Sequence, residues 1–133
     1  MRLHWIIFAV LIVWSSLILA EAPPFEVPDA PAEYLKLKNQ YTSAADVKNG
    51  KKYYELKCAE CHGDSGEGEE DGNAVVFNNS EWMSKRSDGQ LFFIASEGAG
   101  EDAEMEGYGP YSDEGMSEKR IWQMIAYIKT LSP

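Results

Sequence analysis

Residues 43–133 of the sequence predict an all-α domain of three to four helices, and three observations predict it. Ser43-Ala44-Ala45-Asp46 and Ser87-Asp88-Gly89-Gln90 have the spacing of helix N-terminal capping boxes, the first with Asp in place of the usual Glu. Ile121, Met124, Ile125 and Ile128 recur at i, i+3, i+4 and i+7, as on the buried face of one helix. No βαβ pattern interrupts these stretches, and 133 residues is the length of one domain.

Taken in order, residues 1–20 begin with Arg2, continue through the apolar run 5–14 and end Ser15-Ser16-Leu17-Ile18-Leu19-Ala20. They read as an export signal cut after Ala20, or as an uncleaved membrane anchor over residues 5–20, a stretch slightly short of a comfortable span. On either reading the domain is exported, to the periplasm in a bacterium. Residues 21–42 carry Pro23, Pro24, Pro28 and Pro31, which disfavour helix and give an extended strap. This is a tether or a wrap, expected mainly as unstructured linker, with Tyr34, Leu35 and Leu37 as the residues able to dock.

A first helix is expected over residues 44–59, its inward stripe being Val47, Gly50, Tyr54, Cys58 and Cys61. Residues 63–72 are polar, glycine-rich and aperiodic, hence a surface loop, and their acidic residues do not follow the EF-hand order. Ala74-Val75-Val76-Phe77 returns to the interior, and residues 79–86 hold a short helical turn with Trp82 and Met83. The second capping box opens a helix through Leu91, Phe92, Phe93, Ile94 and Ala95 that stops at Gly98. Residues 100–115 are loop. Ser117 caps the last helix, with Glu118 in its first turn and Trp122, Tyr127 and Leu131 widening its apolar stripe.

The chemistry centres on Cys58-Ala59-Glu60-Cys61-His62, the signature of covalent haem attachment. Each cysteine sulfur can add to one porphyrin vinyl group, and His62 then stands beside the iron as proximal ligand. Zinc fails for want of ligands, since the only other Cys or His is His4. A thioredoxin-like dithiol would sit at a helix N-terminus, not at the end of a helical stretch. A plain Cys58–Cys61 disulfide, or a redox thiol pair without haem, stays as the alternative. One covalent haem c would also supply apolar surface that so small a core lacks. Met105 lies in a polar, aperiodic setting that offers no core role, which makes it the expected distal ligand; Met83 is its rival. Met116 and Met124 have packing explanations on or beside the last helix. Trp82 and Arg86 are candidates for the haem propionates, with ordinary surface charge the alternative for Arg86, and Phe92 or Phe93 for shielding the haem.

The net charge is −10, which excludes nucleic acid as a partner. An acidic surface either keeps the protein soluble or steers it toward a basic docking patch on a redox protein, an attraction that salt weakens.

From residue 44 to residue 131 the chain resembles class I, single-haem bacterial cytochromes c. The residues that carry the likeness are Gly50-x-x-x-Tyr54, Cys58-x-x-Cys61-His62-Gly63, Met105, and Met116-Ser117-Glu118-Lys119-Arg120-Ile121 leading to Ile125-Ala126-Tyr127-Ile128. The resemblance implies helices wrapped around the haem, with the first and last crossing so that Gly50 and Tyr54 meet Met124 and Tyr127. Many members place a proline soon after the histidine, where the chain supplies a carbonyl to the second imidazole nitrogen; here no proline lies between Pro31 and Pro110. The backbone of residues 73–75 is the expected substitute. The function implied is one-electron transfer between redox proteins, as a free shuttle or within a larger complex, and not catalysis. The alternative is a haem protein with an open sixth site, a gas sensor or peroxidase.

Overall fold

The computed structural model describes residues 27–69, 74–100 and 103–133, so the expected signal or anchor over residues 1–20 lies outside the described residues. Among the described residues six helices follow one another: α1 Ala32–Leu35, α2 Ala44–Lys57, α3 Ala59–His62, α4 Ser80–Ser84, α5 Asp88–Glu97 and α6 Glu118–Leu131. Only α2, α5 and α6 are long; among the described residues the sole β pairing is an antiparallel bridge between Gly98 and Glu106.

The frame is the crossing of α2 and α6. Gly50 makes it possible, because a Cβ there would overlap the Gln123 carbonyl of α6. Around that contact Tyr54, Ile121, Met124 and Ile125 are wholly buried, and the Tyr54 and Tyr127 rings lie 5.3 Å apart. The Tyr54 hydroxyl donates to the Gly63 carbonyl at 2.6 Å, tying the end of segment 58–62 back to α2. The α2 capping box is complete: Ser43 Oγ accepts from Asp46 N–H at 3.2 Å and Asp46 Oδ2 accepts from Ser43 N–H. Gln123 Nε2 donates to the other Asp46 oxygen at 2.7 Å. These bonds, the Ser43 side chain first, hold the Asp46 carboxyl below its usual range.

Expectation and structure part at four places. The first helix does not run unbroken to residue 59: Cys58 adopts φ −122° and separates α2 from α3. Ser117 stands at the N-cap of α6 but its side chain makes no capping hydrogen bond. In the second box Ser87 Oγ accepts from Gln90 N–H at 3.1 Å, yet the Gln90 side chain does not reach back. It turns toward the strap instead and stays buried, its amide oxygen accepting from Ala30 N–H at 2.8 Å and its amide nitrogen donating to the Pro28 carbonyl at 2.6 Å.

That diversion explains the fourth difference, which concerns residues 27–42. They are a wrap and not an unstructured linker. Besides Gln90, Asn39 Nδ2 donates to the Trp122 carbonyl at 2.7 Å, and Asn39 N–H donates to Asp88 at 3.0 Å. The Tyr34 ring packs edge-on against Phe93 at 5.1 Å, and Gly89 has no room for a side chain beneath the Tyr34 carbonyl. Proline density ruled out a long helix correctly, but an extended chain still binds when backbone partners meet it.

Candidate haem-binding site

The described elements enclose a cavity of about 470 Å³, within the usual size of cofactor sites. Its walls come from every described helix except α1, and from the segments between them. α3 and its junction supply Cys58, Cys61 and His62; the return segment and α4 supply Ala74, Val75, Phe77 and Trp82. α5 adds Leu91, Ile94 and Ala95, and α6 adds Met124, Ile125 and Ile128. The loop after α5 closes it with Ala99, Ala103 and Met105, and the strap touches it at Val27. Glu69, Glu104, Glu106 and Glu114 also line it, with Lys57 the one lysine or arginine among the described residues there.

His62 is buried, and its Nδ1 lies 3.0 Å from the Val75 carbonyl. This is the backbone acceptor expected from residues 73–75, so the missing proline is replaced by Val75. With Nδ1–H donating, the Nε2 lone pair is left to bind a metal. Burial pushes the imidazole pKa down, opposed in part by the Val75 hydrogen bond and Glu69, which favours the neutral ring that a ligand requires. The Phe77 ring lies nearly flat on the imidazole, centroids 4.3 Å apart and planes 23° from parallel.

Cys58 is buried on the α2/α6 seam, its sulfur 3.4 Å from Met124 Sδ, and burial pushes its thiol up to about 12, with Cys61 adding to the shift. Cys61 is an exposed residue at the cavity wall.

Met105 reaches the cavity because the loop carrying it is fastened to α5. Ala99 N–H donates to the Met105 carbonyl at 3.1 Å beside the Gly98–Glu106 bridge. Gly98 takes φ +93°, open to glycine at no cost, and Gly107 leaves no space for a Cβ against the backbone of Ser96 and Glu97. Tyr108 N–H and Gly109 N–H donate to the Ala95 and Ser96 carbonyls, each at 2.9 Å. Tyr108 Oη bonds the Lys57 carbonyl at 3.0 Å, and Lys57 pairs with Glu114. Met83, by contrast, is buried in the core cluster and does not line the cavity.

Trp82 lines the cavity, half-buried, whereas Arg86 does not. The Arg86 guanidinium lies 4.8 Å over the Trp82 ring, and its Nε is buried without a protein hydrogen-bond partner. Neither Phe92 nor Phe93 lines the cavity: Phe92 stacks on Trp122 at 4.1 Å and Phe93 meets Tyr34. The residues present fit a haem. A mostly apolar slot is lined by two cysteines, a buried imidazole whose burial favours its neutral form, and a methionine. Sequence reasoning missed Val27, Tyr108 and Lys57. The signal for Tyr108 was Gly107-Tyr108-Gly109, whose glycines mark close backbone approach.

No curated protein matches the chain in sequence. Among solved structures the fold resembles the c-type cytochrome KustC0563 at 23% identity and TM-score 0.54, over 63% of this chain and 98% of that one. It also resembles cytochrome cL of the marine methylotroph Methylophaga aminisulfidivorans at 20% identity and TM-score 0.57, over 87% and 74%. A chain of the Kuenenia stuttgartiensis reducing HAO-like protein complex gives 18% identity and TM-score 0.59, over 80% of this chain but 50% of that one. The sequence model of cytochrome c matches residues 47–132, well over half of the chain and all of α3 to α6. The protein therefore belongs to the cytochrome c family, as a class I c-type cytochrome with covalently bound haem c.

Proposed function

We propose that this electron-transfer haem protein is a one-electron carrier of the periplasm, with the haem held by Cys58 and Cys61 and its iron ligated by His62 and Met105. The observation that carries the reading is that Met105 shares one cavity with His62 and both cysteines while Met83 is packed elsewhere. When bound, the haem supplies a reversible Fe(II)/Fe(III) couple, which a thioether ligand moves to higher potential. The chain's own residues do the rest. Val75 keeps His62 in the tautomer that presents Nε2, the bridged loop presents the Met105 sulfur, and the apolar walls exclude water. With both axial positions taken, none is left for oxygen or peroxide, so the chain is a carrier and not itself an enzyme.

The Arg86 nitrogen without a protein partner supports a propionate contact there, with Trp82 beside it. Carboxylates at the cavity support docking on a basic surface of a dehydrogenase, oxidase or reductase. The likeness to a chain of an HAO-like complex supports a place inside a larger assembly. Among the described residues no helix is long and apolar enough to cross a membrane, so any anchoring falls to residues 5–20.

Optical spectra of the exported, matured protein in both oxidation states test this. Low-spin ferric haem with the near-infrared methionine-to-iron band is expected, as is loss of that band with a lower potential in Met105→Ala but not in Met83→Leu. A five-coordinate ferrous form that binds carbon monoxide freely would overturn the carrier role and favour an open-site sensor or peroxidase.

A further inference from the structure

His62 is restrained in two perpendicular directions by one short piece of chain. The Val75 carbonyl accepts in the plane of the ring, while Phe77, two residues on, covers its face. A lone hydrogen bond leaves the imidazole free to rock about the bond axis; a ring lying flat on its face removes that freedom. Phe77 is itself held. It is buried, meets Tyr54 edge-on at 6.2 Å, and its neighbour Asn78 donates N–H to the Gly66 carbonyl at 3.1 Å. Gly68 N–H donates to the His62 carbonyl at 2.8 Å, so the loop that anchors Phe77 also grips the backbone of the residue it covers.

We propose that Phe77 is a positioning residue for the haem's proximal ligand, fixing the rotation of the His62 ring and keeping water from its Val75 hydrogen bond. This rests on His62 as the iron ligand. Its consequence is electronic: ring orientation sets the splitting of the iron d orbitals, and the hydrogen bond on the far nitrogen sets ligand basicity, one of the levers on potential. Losing the stacked ring admits solvent and rotation together.

The test uses the mature holoprotein. Phe77→Leu and Phe77→Met are expected to shift the principal g-values of the ferric EPR spectrum and to move the reduction potential away from the wild-type value, while Phe77→Tyr, which keeps the stack, retains both. Phe92→Leu is the matched control, because it removes a ring stacked on Trp122 without touching His62. It should lose stability yet keep the wild-type spectrum. The unaltered ferrous protein gives a direct check that needs no variant: nuclear Overhauser contacts between the Phe77 and His62 rings. Absence of those contacts, or wild-type g-values and potential in Phe77→Leu or Phe77→Met, overturns the proposal. If the unaltered protein lacks a low-spin His/Met spectrum, the ligand reading has failed instead.

Discussion

Replacing Gly50 by Ala tests the α2/α6 crossing on which every wall of the cavity depends. Helix propensity alone favours Ala in a helix interior by about 1 kcal/mol. Against that stands a Cβ driven into the Gln123 carbonyl, with the Met124 backbone nitrogen also close. The obstacle is backbone on another helix, and no rotamer change relieves it. Overpacking costs typically about 1–3 kcal/mol, and an immovable neighbour puts this site at the upper end. Parting the helices instead spreads the cost, since a gap of about 0.5–1 Å already forfeits a quarter to a half of each dispersion contact. Tyr54, Ile121, Met124 and Ile125, all wholly buried, would share that loss. The net expectation is a destabilisation of about 2 kcal/mol, or a urea midpoint lower by about 1 M at an ordinary m-value. Equilibrium unfolding of the ferric protein, followed by far-UV circular dichroism, measures it. Lys52→Ala on the exposed face of α2 is the control and should stay within about 0.5 kcal/mol of wild type. A Gly50→Ala protein as stable as wild type, or more so, refutes the close crossing.

Gln90→Ala leaves the buried Ala30 N–H and the Pro28 carbonyl without their partner, at a cost of about 1–3 kcal/mol, and limited proteolysis should then cut within residues 27–42; unchanged protection would show that the strap is held otherwise. Asp88 feels burial, which raises its pKa, but the Lys129 ammonium and the Asn39 N–H outweigh it and hold the carboxyl low. A lowered folded-state pKa contributes stability that is present above the unfolded value of about 3.9 and lost as pH falls through the folded one. The stability gap between wild type and Asp88→Asn should therefore shrink as pH is lowered from 5 toward 2, and a constant gap would refute the pairing. Electron transfer to a positively charged acceptor should slow with rising ionic strength, as stopped-flow mixing would measure; no salt dependence would remove the carboxylates lining the cavity from docking.

The haem-binding part of this chain was legible because its determinants are local or periodic. Cys58, Cys61 and His62 are neighbours in sequence, the α6 stripe declares its face, and Met105, set apart by lacking a packing reason, does line the cavity, its place on the iron being the proposal made above. Asking where the second imidazole nitrogen must bond points to the backbone of residues 73–75, and the structure selects Val75. What escaped depends on partners far along the chain. Gln90 reads as a capping residue, and only the arrival of Pro28 and Ala30, about sixty residues away, draws it to the strap. Phe92 and Phe93 are equally apolar, and their assignment to Trp122 and Tyr34 follows from how the strap and α6 are laid down. The break at Cys58 carries no sequence mark, since neither glycine nor proline is there.

The position of Cys58 also orders events in time. In the finished fold Cys58 is buried, its sulfur against Met124 of α6, and it faces solvent only through the cavity it lines. If Cys58 carries the haem as proposed, a catalyst that joins the two would meet that atom most readily on an open polypeptide, with the C-terminal helix closing over the product like a latch. A chain that folds too early would lock its own assembly out.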